Sequence, residues 1–452
     1  MEAKENKMGA MPEGKLLASM AVPMMISMLL QALYNVVDSY FVSRVSQDAF
    51  NALSLAFPLQ SLMIGLGAGT GLGVNALISR SLGERRQDMA DRVANTAIVI
   101  FALCAALFAV IGFTCSGPFF RAQTDVPGIV EAGEVYCTVC LGFSVGIFYQ
   151  FCFERFLQAT GRASLSMVTQ VSGALINMVL DPILIFGLLG APEMGVKGAA
   201  AATVAGQVVA ALMGLFINLK KNTDIHLKLS EMRFRREIFA EVYRIGFPSI
   251  LMQSVGSFLV FGMNQILLSF STVATAVYGA YFKLQSFVFM PVFGLNNGMV
   301  PIISYNFGAR RPDRVKNTVR LSMAAAMGIL LLGLLLFELF PAQLLRIFNA
   351  DAAMLRSGVP AFRIIAISYL FAGFCIISIS VFQAIGNPIH SLVVAVMRQI
   401  VVLLPAAYLL SLSGRLELVW FSYPIAEIAS LLCSAYFLKR TMAKLEQSGT
   451  VQ

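Results

Sequence analysis

Long apolar stretches alternate with short polar loops along nearly the whole chain. Twelve of the stretches are long enough for a helix that crosses a bilayer, which needs about 20 mostly apolar residues. They cover residues 16–41, 50–79, 93–118, 134–157, 164–189, 198–219, 245–270, 274–302, 318–342, 361–385, 389–413 and 416–438. This pattern predicts an all-α polytopic membrane protein with twelve transmembrane helices.

The one long polar loop lies near the midpoint of the chain and divides the predicted helices into two sets of six. We therefore predict a cytoplasmic tail (1–15), an N-terminal six-helix lobe (16–219), a cytoplasmic linker (220–244), a C-terminal six-helix lobe (245–438) and a cytoplasmic tail (439–452).

The two sets of six are copies of each other, because short motifs of the first set recur in the second set at one constant offset. This offset is the separation between Pro23 and Pro248. The other matching pairs are LQS at 59–61 with 284–286, LGERR at 82–86 with FGARR at 307–311, and LQATG at 157–161 with FQAIG at 382–386. An even number of spans gives both copies the same orientation. Parallel repeats of this kind, related by a pseudo-twofold axis, occur in transporters. Channels can also be built from repeats.

Composition and charge agree with a membrane protein. Hydrophobic residues make up 58% of the chain and charged residues 13%, and the mean hydropathy is +0.77. The net charge of +9 indicates cytoplasmic loops rather than nucleic-acid binding, since Lys and Arg collect on the cytoplasmic side. The termini and even-numbered loops carry 24 Lys and Arg against seven in the opposite set. We predict a multi-pass protein of the bacterial cytoplasmic (inner) membrane with both termini in the cytoplasm.

The stretches that could suggest enzyme chemistry lack the spacing or the partner residues that such chemistry requires. The stretch GLGAGTGLG at 65–73 lacks the GxGxxG spacing and is not followed by GK[ST], so its glycines indicate close helix packing rather than a nucleotide loop. Cys137 and Cys140 form a CxxC inside an apolar run without a nearby histidine, which favours packing. The two histidines, His226 and His390, lie in or near loops without a nucleophile. We predict neither enzyme activity nor a cofactor.

Ionisable residues inside a membrane mark functional sites by default, and the N-terminal lobe has two carboxylates in its spans. Asp38 lies about 9 Å from the end of span 1, Asp181 about 13 Å from the end of span 5, and Thr203 about 9 Å into span 6, at 1.5 Å per residue. The three side chains therefore lie at similar depth. Asn177 shares a helix face with Asp181 at the i,i+4 spacing.

Further polar residues accompany these four. Gln31, Tyr34 and Asn35 form a polar stripe with Asp38, and Gln207 shares a face with Thr203. Carboxylate, amide and hydroxyl oxygens suit Na⁺, and two close carboxylates in a low-dielectric medium suit a proton carrier. A structural hydrogen-bond network is the alternative. Three prolines are candidate hinges or bends, namely Pro23, Pro182 and Pro248.

The C-terminal lobe does not repeat this chemistry, because Asp38 corresponds to Met263. Its candidate cavity residues are Gln253, Asn264, Lys283, Arg398 and Glu427. A pair between Lys283 and Glu427 with a role in gating is one hypothesis.

Several of these motifs resemble the multidrug and toxic compound extrusion (MATE) family, in its DinF-like bacterial branch. They are YNVVDSYFVSR in span 1, NMVLDPILIFG in span 5, GVKGAAAATVAGQ in span 6 and the QAxG pair. The resemblance implies two six-helix bundles in a V shape and exchange of H⁺ or Na⁺ for organic, often cationic, compounds. It assigns Asp38, Asn177, Asp181 and Thr203 to a cation site that Na⁺ could occupy. Spans 7 and 10 lack the acidic residue of the NorM-like pattern.

The leading hypothesis is a monomeric secondary multidrug antiporter that works by alternating access on small organic cations within membrane lipids. Two alternatives remain open, a flippase for lipid-linked precursors and a non-transporting membrane sensor or scaffold. A flippase would need a strongly cationic cavity, and a sensor would need a signalling domain.

Overall fold

Helices form all of the regular structure in the part of the chain that the computed structural model describes, residues 6–348 and 350–449. The first half contains α1 (Lys7–Ala10), α2 (Glu13–Ser43), α3 (Gln47–Gly83), α4 (Gln87–Arg121), α5 (Pro127–Gly142), α6 (Val145–Ala159), α7 (Ala163–Phe186) and α8 (Val196–Lys221). The second half contains α9 (Arg236–Leu268), α10 (Thr272–Gly308), α11 (Pro312–Leu339), α12 (Pro341–Arg346), α13 (Ala352–Ala366), α14 (Tyr369–Ala384), α15 (Pro388–Val396), α16 (Leu404–Ser411), α17 (Leu416–Val419) and α18 (Ser422–Gly449). Short 3₁₀ turns cover Leu188–Gly190 and Leu229–Glu231, and a π-helix covers Met397–Leu403.

Ten helical stretches in the described residues are long and apolar enough to cross a membrane, and two bent pairs bring the number to twelve. The bent pairs are α5 with α6, at 42°, and α13 with α14, at 50°. The sequence predicted one unbroken run in each place. A serine lies at each break, and Ser144 and Ser368 donate their hydroxyl hydrogens to the backbone oxygens of Ala105 and Ile365. The bends thus occur at equivalent positions of the two repeats.

The described chain forms two compact units. Unit 1 comprises residues up to Lys7 and Ile26–Phe247, and unit 2 comprises Met8–Met25 and the residues from Pro248 onward. The predicted lobe boundaries at residues 16 and 245 therefore differ from the structure, because α2 and α9 each contribute to both units. Pro23 and Pro248 lie at or close to the two crossover points.

Glycines explain why the first part of α2 packs in unit 2. A Cβ atom on Gly298 would lie 2.6 Å from the Cα atom of Ala21, and one on Gly294 would lie 2.5 Å from that of Met25. Side chains at these two positions of α10 would therefore prevent the helices from approaching so closely.

The glycine-rich segment of α3 packs tightly on two sides, as its spacing predicted. One side faces α9, since Gly73 lies against the backbone of Val242 and Gly246 lies against the backbone of Gly69. On the other side, Gly71 lies against the side chain of Arg155 on α6. Packing is the observed role of this segment.

The predicted linker is shorter than residues 220–244, because α8 continues to Lys221 and α9 begins at Arg236. The intervening residues are held against α4. His226 and Lys228 donate their backbone N–H groups to the side chains of Asp91 and Asn95 at 2.8 and 2.9 Å. The linker is thus an integral part of unit 1.

The two predicted tails also contain helix. At the N-terminal side, α1 and the start of α2 fall within residues 1–15, and α18 runs through residues 439–449. The guanidinium of Arg314 donates hydrogen bonds to the backbone oxygens of Met8 and Met11 at 3.3 and 2.5 Å. The predicted tail residues 1–5 and 450–452 lie outside the described residues.

Candidate functional site

The helices α7 and α8 lie unusually close together because small residues meet at their interface. A Cβ atom on Gly206 would lie 2.6 Å from the backbone oxygen of Gly173, and one on Gly198 would lie 2.4 Å from that of Leu184. Two helices that touch through backbone atoms bring even short polar side chains within hydrogen-bonding distance.

The first polar contact of the site follows from this close approach. The side-chain amide of Asn177 donates a hydrogen bond to the hydroxyl of Thr203, with an N–O distance of 3.2 Å. Asp181 lies one turn further along α7 and is completely buried. The i,i+4 spacing therefore places both residues on the face of α7 that meets α8.

The α2 helix completes the group. The charges of Asp38 and Asp181 are close enough to interact, and the Tyr34 hydroxyl lies next to Thr203. We refer to Asp38, Asn177, Asp181 and Thr203 as the oxygen cluster; all four belong to unit 1. These contacts bring side chains of α2, α7 and α8 together.

Four buried oxygens of the oxygen cluster have no hydrogen-bond partner among the described residues. They are one carboxylate oxygen of Asp38, the amide oxygen of Asn177 and both carboxylate oxygens of Asp181. Leaving a buried carboxylate charged and unpaired is expensive, so it takes up a proton or a cation. The oxygen cluster has the composition of a site for a monovalent cation.

The donor set also argues against a transition metal. Among the described residues, no group of three or more His, Cys, Asp and Glu side chains could hold a metal ion. Two carboxylates with neutral amide and hydroxyl oxygens are hard ligands, and hard ligands favour Na⁺-like ions over zinc or copper.

An apolar seal lies directly beside the oxygen cluster. It consists of Val42, Ala49, Ile185 and Ala199, all at most 1% exposed. Three of these residues lie one helical turn from a member of the cluster: Val42 follows Asp38 by four residues, Ile185 follows Asp181 by four, and Ala199 precedes Thr203 by four. The four residues therefore lie between the cluster and the end of unit 1 where α2 ends.

Sequence reasoning missed three residues at this site. Tyr136 lies near Asp38, is 3% exposed and accepts a hydrogen bond from the Gln60 amide at 3.1 Å. Cys140, which sequence reasoning assigned to packing, lies beside Tyr136. These side chains belong to α5 and α3, and an isolated tyrosine in an apolar run gives no signal of its partner.

The supporting residues of the predicted polar cavity have mixed environments. Gln31 and Gln207 are half-buried, whereas Asn35 is exposed. Gln207 packs against α6, since a Cβ atom on Gly146 would lie 3.2 Å from the Cβ atom of Gln207. Pro182 lies inside α7, directly after Asp181, and the helix continues through it.

In unit 2, the structure corrects the hypothesis of a Lys283–Glu427 pair. Glu427 accepts a hydrogen bond from the guanidinium of Arg398, at 3.0 Å. Lys283 is exposed, and its amino group lies 6.0 Å from the ring centre of Phe348. Arg398 lies in the π-helix, whose changed rotation cannot be read from residue spacing.

The other two residues of the predicted C-terminal cavity lie on α9. Gln253 is exposed and Asn264 is half-buried. Met263, which corresponds to Asp38, is completely buried. Unit 2 therefore has no carboxylate at the position equivalent to Asp38.

Comparison with known families decides which family contains this chain. The family MatE matches residues 23–183 and again residues 248–409. The chain belongs to the MatE family. The two matches begin at Pro23 and Pro248, so they are separated by the same offset as the motifs of the internal repeat. Membership of MatE and the apolar helices together establish a multi-pass membrane protein.

MatE relatives from staphylococci are similar over almost the whole chain. The Multidrug export protein MepA of Staphylococcus saprophyticus is 28% identical over 419 residues, which cover 92% of this chain and 91% of the relative. The protein of the same name from Staphylococcus aureus (strain MRSA252) is 26% identical over 421 residues, with the same coverage.

Solved structures share the fold. An outward-facing multidrug resistance MATE family transporter of the MOP superfamily superposes with a TM-score of 0.92 at 24% identity, over 99% of this chain and 100% of that chain. A MOP superfamily transporter from Pyrococcus furiosus, described as having a binding pocket of reverse polarity, gives a TM-score of 0.92 at 24% identity, over 99% of each chain. These likenesses confirm the predicted architecture of twelve helices in two six-helix bundles.

Proposed function

We propose that this MatE protein is a secondary active exporter that exchanges H⁺ or Na⁺ for small organic compounds by alternating access. Its similarity to proteins named multidrug export proteins supports export of varied organic compounds. The observation that carries the ion-coupled part is the oxygen cluster, with four buried oxygens that lack partners among the described residues.

Each residue of the cluster has a role in this proposal. Asp38 and Asp181 carry the negative charge that a proton or Na⁺ neutralises. Asn177 and Thr203 supply neutral oxygens, and their mutual hydrogen bond holds α7 and α8 in register. Because an empty cluster leaves two buried carboxylates close together, cation binding and release change the free energy of packing α2 against α7 and α8.

Prolines and the apolar seal supply the moving parts. Pro182 has no amide hydrogen, so the preceding turn of α7 lacks one helical hydrogen bond next to Asp181. Bending there would shift Ile185 away from Val42 in the seal. We infer that the seal opens to admit the cation from the end of unit 1 where α2 ends, and that Pro23 and Pro248 accommodate the motion in α2 and α9.

Orientation follows from charge. The termini and the loops that together carry 24 of the Lys and Arg residues face the cytoplasm in this proposal. The end of α2 and the seal then face outward, so the cation enters the oxygen cluster from outside while the organic compound leaves.

Transport by the purified chain in proteoliposomes tests the proposal. An inward gradient of H⁺ or Na⁺ should drive efflux of a fluorescent organic cation, and dissipating that gradient should stop the efflux. Efflux that continues at the same rate without any ion gradient would rule out ion coupling.

A smaller change at the cluster should alter the affinity for the cation rather than abolish transport. Thr203→Val keeps the side-chain shape but removes the oxygen that accepts the Asn177 hydrogen bond. We expect the ion concentration for half-maximal transport to rise by about tenfold, as for loss of a supporting ligand at a metal site. Thr203→Ser restores a hydroxyl and should stay close to the wild type, whereas equal effects of both variants would contradict an oxygen-ligand role.

A further inference from the structure

Arg398 and Glu427 form a partly buried ion pair in unit 2. Their side chains are 22% and 11% exposed, and the guanidinium nitrogen lies 3.0 Å from one carboxylate oxygen. The second carboxylate oxygen of Glu427 is buried without a hydrogen-bond partner among the described residues. The ion pair therefore provides a partner for only one of the two carboxylate oxygens of Glu427.

The fold does not require this pair. At the offset of the internal repeat, Arg398 corresponds to Gly173, which packs against Gly206 of α8. Unit 1 packs the equivalent helices through glycine contacts at this level. Replacing a buried ion pair by apolar residues is often neutral or stabilising, so the charges in unit 2 are better explained by a function than by stability.

The helix that carries Arg398 is irregular where the pair forms. The π-helix Met397–Leu403 ends just before Pro405, which lacks an amide hydrogen and crowds the carbonyl of Val401 in a regular α-helix. Short π-helical segments occur frequently at functional sites.

An aromatic ring lies one turn from the carboxylate. Tyr423 precedes Glu427 by four residues on α18 and is half-buried. Its hydroxyl donates to the hydroxyl of Tyr278 at 3.0 Å, and its ring lies 6.1 Å from that of Tyr281. A carboxylate beside a fixed aromatic ring attracts an organic cation through charge and through the cation–π interaction.

We propose that Glu427 and Tyr423 bind the charged group of an organic cation in unit 2, and that Arg398 competes for the same carboxylate and so sets the charge selectivity. Without a ligand, Arg398 neutralises Glu427. A cationic ligand displaces the guanidinium and uses the free carboxylate oxygen as well. This inference deepens the proposed export function, because it assigns recognition of ligand charge to a second place in the chain.

Equilibrium binding of two ions of matched size and opposite charge, tetraphenylphosphonium and tetraphenylborate, tests this inference. Purified full-length protein in lipid nanodiscs is dialysed against each radiolabelled ion, with empty nanodiscs as the blank. Arg398→Gln should tighten tetraphenylphosphonium binding by about tenfold, since close charge pairs couple by at least that factor, and should not tighten tetraphenylborate binding. Glu427→Gln should weaken tetraphenylphosphonium binding by about tenfold.

The double variant Arg398→Gln/Glu427→Gln guards against loss of folding, because it leaves no unpaired buried charge. It should bind tetraphenylphosphonium as weakly as Glu427→Gln alone, since Arg398 acts only through Glu427. Arg363→Gln, at an exposed arginine 3.8 Å from Glu338, is the matched control and should bind both ions like the wild type.

Two results would overturn the inference: Arg398→Gln tightens both ions equally, or the double variant binds tetraphenylphosphonium as tightly as the wild type. Binding is measured without any ion gradient. A failure of coupled export would therefore leave these affinities unchanged, and the two proposals can fail separately.

Discussion

Asp181→Asn should reduce gradient-driven export to the rate of protein-free liposomes. Asp181 is completely buried, and neither of its carboxylate oxygens has a partner among the described residues. The asparagine has nearly the same shape but no charge, so it removes the group that attracts the coupling cation without creating a cavity. Asp38→Asn should have the same effect, because the two carboxylates act on one cation. Export in proteoliposomes with an imposed H⁺ or Na⁺ gradient measures both variants.

Asp125→Asn is the matched control. Asp125 is an exposed aspartate in the loop between α4 and α5 of the same unit, and its replacement should leave export unchanged. Thermal unfolding of the purified variants separates lost coupling from lost structure. Wild-type export by Asp181→Asn under the same gradient would remove Asp181 from the mechanism.

Gly206→Ala should destabilise unit 1 and impair export together. The added Cβ atom would lie 2.6 Å from the backbone oxygen of Gly173 and 3.1 Å from the Cβ atom of Asn177. Backbone atoms cannot rotate out of the way, so α7 and α8 must separate and the hydrogen bond from Asn177 to Thr203 is strained. We expect a loss of about 1–3 kcal/mol, the usual cost of overpacking a close interface. Thermal unfolding in detergent measures the stability, and ion-driven efflux measures the function.

Gly328→Ala provides the comparison for this substitution. Gly328 lies in α11 with nothing within 4 Å of an added Cβ atom, and alanine is a better helix former than glycine. That variant should be as stable as the wild type or slightly more stable. If Gly206→Ala matched it in both stability and export, close packing of α7 on α8 would not be what positions the oxygen cluster.

The sequence predicted the main elements of the oxygen cluster because local spacing and depth determine them. Asn177 and Asp181 share a face through their spacing alone, and the rise per residue placed Asp38 and Thr203 at a similar level. The repeat was readable for the same reason, since motifs such as LQATG and FQAIG recur at a constant offset. Helix number and amphiphilicity follow from such short-range patterns.

Features that depend on tertiary packing could not be read in this way. Residues Met8–Met25, which include the first part of α2, belong to unit 2. This packing depends on the glycines of α10, which lie in the other half of the sequence. The pair between Arg398 and Glu427 joins a π-helix to α18, and residue spacing does not predict where a π-helix occurs. The contribution of Tyr136 requires knowing that α5 faces α2.

Cation uptake by the purified protein tests the role of the oxygen cluster most directly. Radioactive sodium gives the number of sodium ions bound per chain, and an indicator dye gives the number of bound protons that each chain releases. Both numbers are measured for the wild type and for Asp38→Asn/Asp181→Asn. We expect the wild type to take up one cation, H⁺ or Na⁺, that the double variant does not take up. Equal uptake of cations by both proteins would contradict the assignment of the coupling site to the oxygen cluster.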